Sequence, residues 1–365
     1  METTKNKTDN RNYGLDLLRL LIGFMVVLGH AIGRGGILDH APEGSLNFKI
    51  VWFIEAWAYS CPDIFIIISG YTSISERDKK QDWSKLIVLW LQVLFYSVVF
   101  TIIYTLINGA PLEFPLVLRS FFPLLNHPEY WFFASYCALF ILKPFIDKGI
   151  KAFDEKELKI LFCIIFAVFS LYTVIGDPFY LISGITPFWF ILLYIMGAIT
   201  KKCSLGERIS SAGLLAMVYG LIIITWLSKN YCPAFYIMGH RIDENTLYSY
   251  TSPTITGCAI LRVILYSRLK PGKFTRSVVR FAASSVFAIY LLNTHPVYWN
   301  SILPNQFIEL APRRLSVMLP PVFLYSVSFY AAALLIDKIR QIIFKSLRVQ
   351  ARIHNLLYAG DKNKP

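Results

Sequence analysis

The sequence predicts an all-α integral membrane protein with about ten transmembrane helices and both termini in the cytoplasm. Three observations lead there. Of 365 residues, 55% are hydrophobic and only 16% are charged, against about 25% charged in ordinary soluble domains. With a mean hydropathy of +0.51, polar surface is too scarce to cover a water-soluble particle. The apolar residues fall in runs sized for a hydrocarbon layer about 30 Å thick, and the basic residues gather between alternate runs, as they do in helical bundles whose cytoplasmic loops are positive.

The runs are, in order, Gly14 to Ile32, Phe48 to Tyr71, Lys85 to Ile107, Glu129 to Ile146, Leu158 to Gly176, Thr186 to Ile199, Ser211 to Ser228, Thr251 to Tyr266, Phe281 to Trp299 and Leu315 to Ile336. The first follows a polar tail, 1–13, and keeps Asp16 and Arg19 inside a full-length run, unlike a cleaved signal peptide or a lipidation signal. The second carries Pro62 and the sixth is short. The fourth is expected to end at Lys143-Pro144, because proline lacks the N–H that continues a helix. A single transmembrane domain therefore covers 14–336, with a basic tail over 337–365. The longest polar connections, Gly33 to Asn47, Asn108 to Pro128 and Lys229 to Tyr250, are too short to fold alone, so any chemistry belongs in the bundle or at its mouths.

With the N-terminus inside, 26 of the 36 Lys and Arg residues lie in the two tails and the cytoplasmic connections, 7 lie on the opposite side, and Arg19, Lys143 and Arg262 lie within runs. Topology thus accounts for the net charge of +13, and no nucleic-acid partner is needed. The six cysteines are dispersed without a CxxC pair, which assigns neither a disulfide nor a metal site.

A charge at the centre of a span costs about 2.5–3.5 kcal/mol on insertion scales, so each one needs a reason. Asp16 and Arg19 are three apart and predict an ion pair. His30 follows Arg19 by eleven residues, which is three helical turns plus about 20° and an axial rise of about 16 Å. Asp16, Arg19, Gly23 and His30 therefore share a stripe expected to face the bundle interior. Histidine suits a general base near neutral pH; the plainer alternative is a structural pair and a hydrogen-bonded interfacial histidine. In CPDIFIIISGYTS, Asp63 sits among apolar residues and Ser69-Gly70-Tyr71 interrupts the run, where Gly70 allows close approach of a ligand or, more simply, of another helix. Trp131 and Tyr136 in the fourth run read as an aromatic belt or as lining. Tyr290, Asn293 and His295 fall in the outer half of the ninth.

The combination of GLDLLR with a histidine eleven residues after the arginine, DIFIIISGY, EYWFFASYCALFILKPF, PFWFILLYIMGAI and SSVFAIYLLNTHP, in this order, resembles acyltransferase family 3 of integral membrane acyltransferases. Within it the chain looks closest to the branch that O-acetylates bacterial exopolysaccharides and other surface glycans. The resemblance runs from Gly14 to about Ile336. It implies a multi-pass protein of the bacterial cell membrane that moves an acyl group, acetyl above all, from cytosolic acyl-CoA to a hydroxyl of a surface glycan or its lipid-linked precursor. Acetyl-CoA is then a co-substrate, and no tightly bound cofactor is implied. Arg19 and His30 match the family's paired arginine and histidine, with Asp16 beside them; Ser69, Gly70 and Tyr71 match its serine-glycine-aromatic motif at the donor. Asp63, Trp131, Tyr136, Tyr290, Asn293 and His295 are left to line the substrate path. Two departures stand out. The family's arginine-rich lead into the third span is DKKQDWSK here, so Lys79, Lys80 and Lys85 would meet the donor phosphates as point charges without the bidentate fork. The family's frequent histidine after the span-nine tyrosine is Asn293, with His295 two residues later.

A polytopic transporter or flippase would share the composition and the buried charges. Against it, the first five runs do not repeat in the last five, and no two Gly/Pro-broken helices match. A non-enzymatic membrane sensor would want a soluble input domain, which the loops are too short to hold.

Overall fold

In lipid a backbone has to satisfy its own N–H and C=O groups, so apolar runs of this length fold as helices. The computed structural model describes residues 11–74, 81–107, 114–126 and 128–359. Its main helices are α1 (Tyr13–Gly33), α2 (Leu46–Ala58), α3 (Cys61–Ser73), α4 (Ser84–Ile107), α5 (Trp131–Ala152), α6 (Glu155–Phe166), α7 (Pro187–Lys202), α8 (Ser211–Tyr231), α9 (Pro253–Ser267), α10 (Lys273–Ala282), α11 (Val286–Asn293), α12 (Leu315–Ser346) and α13 (Val349–Tyr358). Among the described residues seven elements are long and apolar enough to cross a membrane: α1, α2 with α3, α4, α6 continued to Val174, α8, α10 with α11, and α12. The three remaining runs of the sequence form α5, which carries Lys143, Asp147 and Lys148, and the shorter α7 and α9 of 16 and 15 residues. The protein is an all-α integral membrane protein.

Local chemistry sets the helix starts. Asn12 caps α1 by accepting from Leu15 N at 3.0 Å, Asp154 and Glu157 form a reciprocal capping box on α6, and Thr186-Pro187 and Ser252-Pro253 open α7 and α9 with a capping hydroxyl before a proline in the first turn, where proline's missing N–H costs nothing. The central packing joins α3 to α7. A Cβ on Gly70 would lie 2.0 Å from Tyr194 O, and one on Gly197 would lie 2.3 Å from Ile67 O, so each glycine lets the opposite backbone approach. Trp189, Phe190, Leu193 and Tyr194 are buried beside this contact.

Both described ends of the chain meet at one end of the bundle. There Asn12 Nδ2 donates to Ser267 O at 2.9 Å, Tyr71 OH to Ser267 Oγ at 3.1 Å, and Trp83 N to Tyr358 OH at 3.0 Å. This end, rich in Lys and Arg, is called the basic end below. At the far end the segment after α1 joins the loop before α12 through Asn305 N to Arg34 O and Phe307 N to Gly35 O, at 3.1 and 2.9 Å.

The structure corrects several boundaries. α5 does not stop at Pro144 but runs through it to Ala152. The carbonyl that the missing proline N–H would leave open, Phe140 O, accepts instead from Gln81 Nε2 at 3.3 Å. The second run breaks after Ala58, and Pro62 falls in the first turn of α3. The ninth breaks at Asn293, just before Pro296, a residue whose ring disfavours the helical conformation of the position preceding it. The tenth continues ten residues past Ile336, because Asp337 is held inside by Arg340 Nε and Tyr96 OH at 2.7 and 2.8 Å. An unforeseen two-stranded hairpin, β1 (Phe235–Ile237) and β2 (His240–Ile242), lies in the far-end loop; its turn residues Met238 and Gly239 both have positive φ, the conformation of tight hairpin turns.

Candidate active site

α1 carries one cluster near each end. At the basic end, Asp16 is buried and accepts from both Arg19 Nη1 and Arg11 Nε at 2.5 Å. Arg19 is left half-buried, and the Tyr136 hydroxyl of α5 faces both its guanidinium and the Ser69 hydroxyl of α3. Three residues far apart in sequence, Arg19, Ser69 and Tyr136, thus converge.

Toward the far end, His30 Nδ1 is bonded to Asn293 Oδ1, the last residue of α11. With Asn293 Oδ1 as the acceptor, a neutral imidazole carries its hydrogen on Nδ1 and keeps the Nε2 lone pair. The Trp299 ring meets the imidazole edge-on, with centroids 4.7 Å apart and planes at 77°. Asn293 is buried with its amide near the Tyr298 hydroxyl, and Nδ2 closes no hydrogen bond within 3.5 Å among the described residues. Between the clusters Gly23 packs toward α11, where a Cβ would meet Val286 Cγ1 at 2.9 Å, which keeps the stripe on the interior face.

The remaining sequence candidates separate by contact. His295 is buried with Nε2 on Ser97 O and Nδ1 accepting from Val297 N, both at 3.3 Å, so both ring nitrogens serve backbone groups. Tyr290 OH donates to Glu129 O at 3.3 Å. Asp63 is 1% exposed; its Oδ1 accepts from Trp189 Nε1 at 3.3 Å, and its Oδ2 has no partner among the described residues. Trp131 stacks on Tyr250 at 5.9 Å and 25°. Gly70 is occupied by the α7 backbone. Tyr71 borders a polar cavity of about 200 Å³ lined also by Lys201, Glu207, Ser267 and Arg268. Lys85 opens α4 near Lys143, whereas Lys79 and Lys80 lie outside the described residues.

Two features escaped the sequence reading. Arg11, Arg276 and Arg280 converge on the Tyr13 ring, with guanidinium carbons 5.5, 5.6 and 5.9 Å from its centroid, and Arg280 Nη2 donates to Tyr13 OH at 2.8 Å. An arginine collar therefore stands at the mouth nearest Arg19. Glu55 is an acidic residue inside an apolar run, which a census of acids as well as bases would have found. Arg262 is pinned by Trp57 O and Ser60 Oγ, each at 2.8 Å, and lies over the Trp57 ring.

No curated protein and no solved structure matches the chain. The model of acyltransferase family 3, described as an acyltransferase domain, matches residues 12–338, from the cap of α1 into the last turns of α12. The match embraces both α1 clusters apart from Arg11. The chain belongs to acyltransferase family 3 and is a multi-pass membrane acyltransferase.

Proposed function

We propose that the protein transfers an acyl group, most simply acetyl, from cytosolic acyl-CoA across the bundle to a hydroxyl of an exopolysaccharide or other surface glycan at a bacterial cell membrane. The observation that carries this reading is the pair of clusters on α1: a basic cluster at one end and a histidine with a free Nε2 lone pair toward the other, eleven residues and about 16 Å apart. The surplus of Lys and Arg in the loops of the basic end favours the cytoplasm for that side.

At the basic mouth, the Arg11, Arg276 and Arg280 collar, Lys85 and the Lys201-lined cavity offer cations to the donor's phosphates. Arginine supplies the planar fork that the lysines leading into α4 lack. Arg19 and Tyr136, with Ser69, would then guide the thioester arm inward along α1. At the far cluster, His30 Nε2 takes the proton from an acceptor hydroxyl as its oxygen attacks the thioester carbonyl. The C–S bond breaks, the ester remains on the sugar, and the departing thiolate takes the proton back from the imidazolium, which leaves free CoA thiol. Asn293 holds the tautomer that this step needs. Its unpartnered Nδ2–H, beside the imidazole, is a donor available to the developing oxyanion. His295, with both nitrogens committed to backbone, serves the fold of the α11 terminus in this scheme.

Mass spectrometry of surface glycans from cells with and without the protein tests the reading. An acyl mass increment that needs both the protein and His30 is expected, and identical glycans would reject it.

A further inference from the structure

A second polar group lies against α1 one residue before His30 and takes no part in the steps above. Glu55, on α2, faces α1 at the position next to the histidine: a Cβ on Gly29 would lie 3.5 Å from Glu55 Oε2. That oxygen is buried and has no hydrogen-bond partner among the described residues. Deeper in the bundle Asp63, 1% exposed, leaves Oδ2 in the same condition. Three aromatic rings stand with them. Tyr250 stacks on Tyr59 with centroids at 4.8 Å and planes at 30°, and on Trp131 at 5.9 Å and 25°. All three rings are only half-buried, and Tyr59 and Tyr250 lie near both carboxylates.

Unpartnered carboxyl oxygens inside a membrane bundle bring no structural gain, because the loss of water is not offset by any protein group. A pyranose provides both halves of what this wall lacks: hydroxyls that donate to and accept from the carboxyl groups, and a C–H face for the rings.

We infer that Glu55, Tyr59, Asp63, Trp131 and Tyr250 form the acceptor site, and that it takes a pyranose and presents one hydroxyl to His30. The inference rests on the acyl transfer proposed above and adds the residues that hold the acceptor.

The test uses the full chain in nanodiscs, radiolabelled acetyl-CoA, and the cells' own surface polysaccharide stripped of esters by mild base. Glu55→Gln keeps the side-chain shape and replaces the carboxyl by an amide. Tyr250→Leu removes a ring from a loop whose backbone stays anchored by Tyr250 N to Ser183 O at 3.1 Å. Each variant is expected to raise the apparent KM for polysaccharide at least tenfold while that for acetyl-CoA moves less than twofold. Wild-type transfer with neither variant altering the polysaccharide KM, or with both KM values rising together, would overturn the site and leave acyl transfer standing. Absence of transfer by the wild-type protein to this polysaccharide would overturn the functional reading, and the site with it.

Discussion

His30 and Asn293 meet across 263 positions of sequence, and the lone pair that this contact leaves on Nε2 is the chemical centre of the account. His30→Gln, which keeps a polar side chain and removes the base, is expected to lower acylation per inserted protein by about 10²–10⁴. Asn293→Leu frees the tautomer and removes the hydrogen-bond donor offered to the oxyanion, so it should lower kcat and leave the KM for acyl-CoA unchanged. Arg19→Lys retains the charge opposite Asp16 but loses the planar fork; steady-state kinetics should show a raised donor KM, and unaltered kinetics would confine Arg19 to holding α1. The sequence made Asp16, Arg19 and His30 legible because charge is costly in an apolar run and one helical period links them. It could not show that Asn293 rather than His295 reaches His30. That choice depends on how α11 ends before Pro296, which turns one side chain toward α1 and the other onto the backbone of α4 at Ser97.

Within the helices the sharpest constraint is the α3–α7 contact. Gly70→Ala would place a methyl 2.0 Å from Tyr194 O, and neither backbone has a rotamer with which to move away. A loss of about 1–3 kcal/mol or more is expected, read as a lower unfolding midpoint in detergent, whereas Gly220→Ala, with nothing within 4 Å, should leave the midpoint in place. Equal midpoints for the two variants would mean that the helices yield at this contact. The serine-glycine-aromatic motif is thus shared by three tasks: Ser69 faces Tyr136, Gly70 is a packing residue, and Tyr71 borders the basic-end cavity. Hydropathy located the runs, yet it could not foresee that α5 survives Pro144, because the acceptor left open in the helix is satisfied by Gln81 from another element. The hairpin at 235–242 was likewise lost inside a polar connection, although its Met-Gly pair carries the turn.

At the scale of the whole molecule, the fold class followed from composition and run length, which respond to the bilayer alone, whereas the grouping of clusters depends on which helices are neighbours. The Arg11, Arg276 and Arg280 collar joins residues from opposite ends of the sequence around Tyr13, and no spacing rule connects them. The orientation has a direct check. In a cysteine-free background, a membrane-impermeant thiol reagent applied to intact cells should label a cysteine at Met238, in the far-end hairpin turn, and spare one at Lys156, at the start of α6; the reverse pattern would invert the topology. The central claim is that one bundle passes an acyl group from its basic end to its far end, and the most direct measurement uses sealed vesicles with the protein in one orientation. Radiolabelled acetyl-CoA is confined to the side of the termini and de-esterified surface polysaccharide to the other. The account predicts label on the polysaccharide with the wild-type protein and none with His30→Gln; transfer that occurs only when donor and acceptor share a compartment would contradict it.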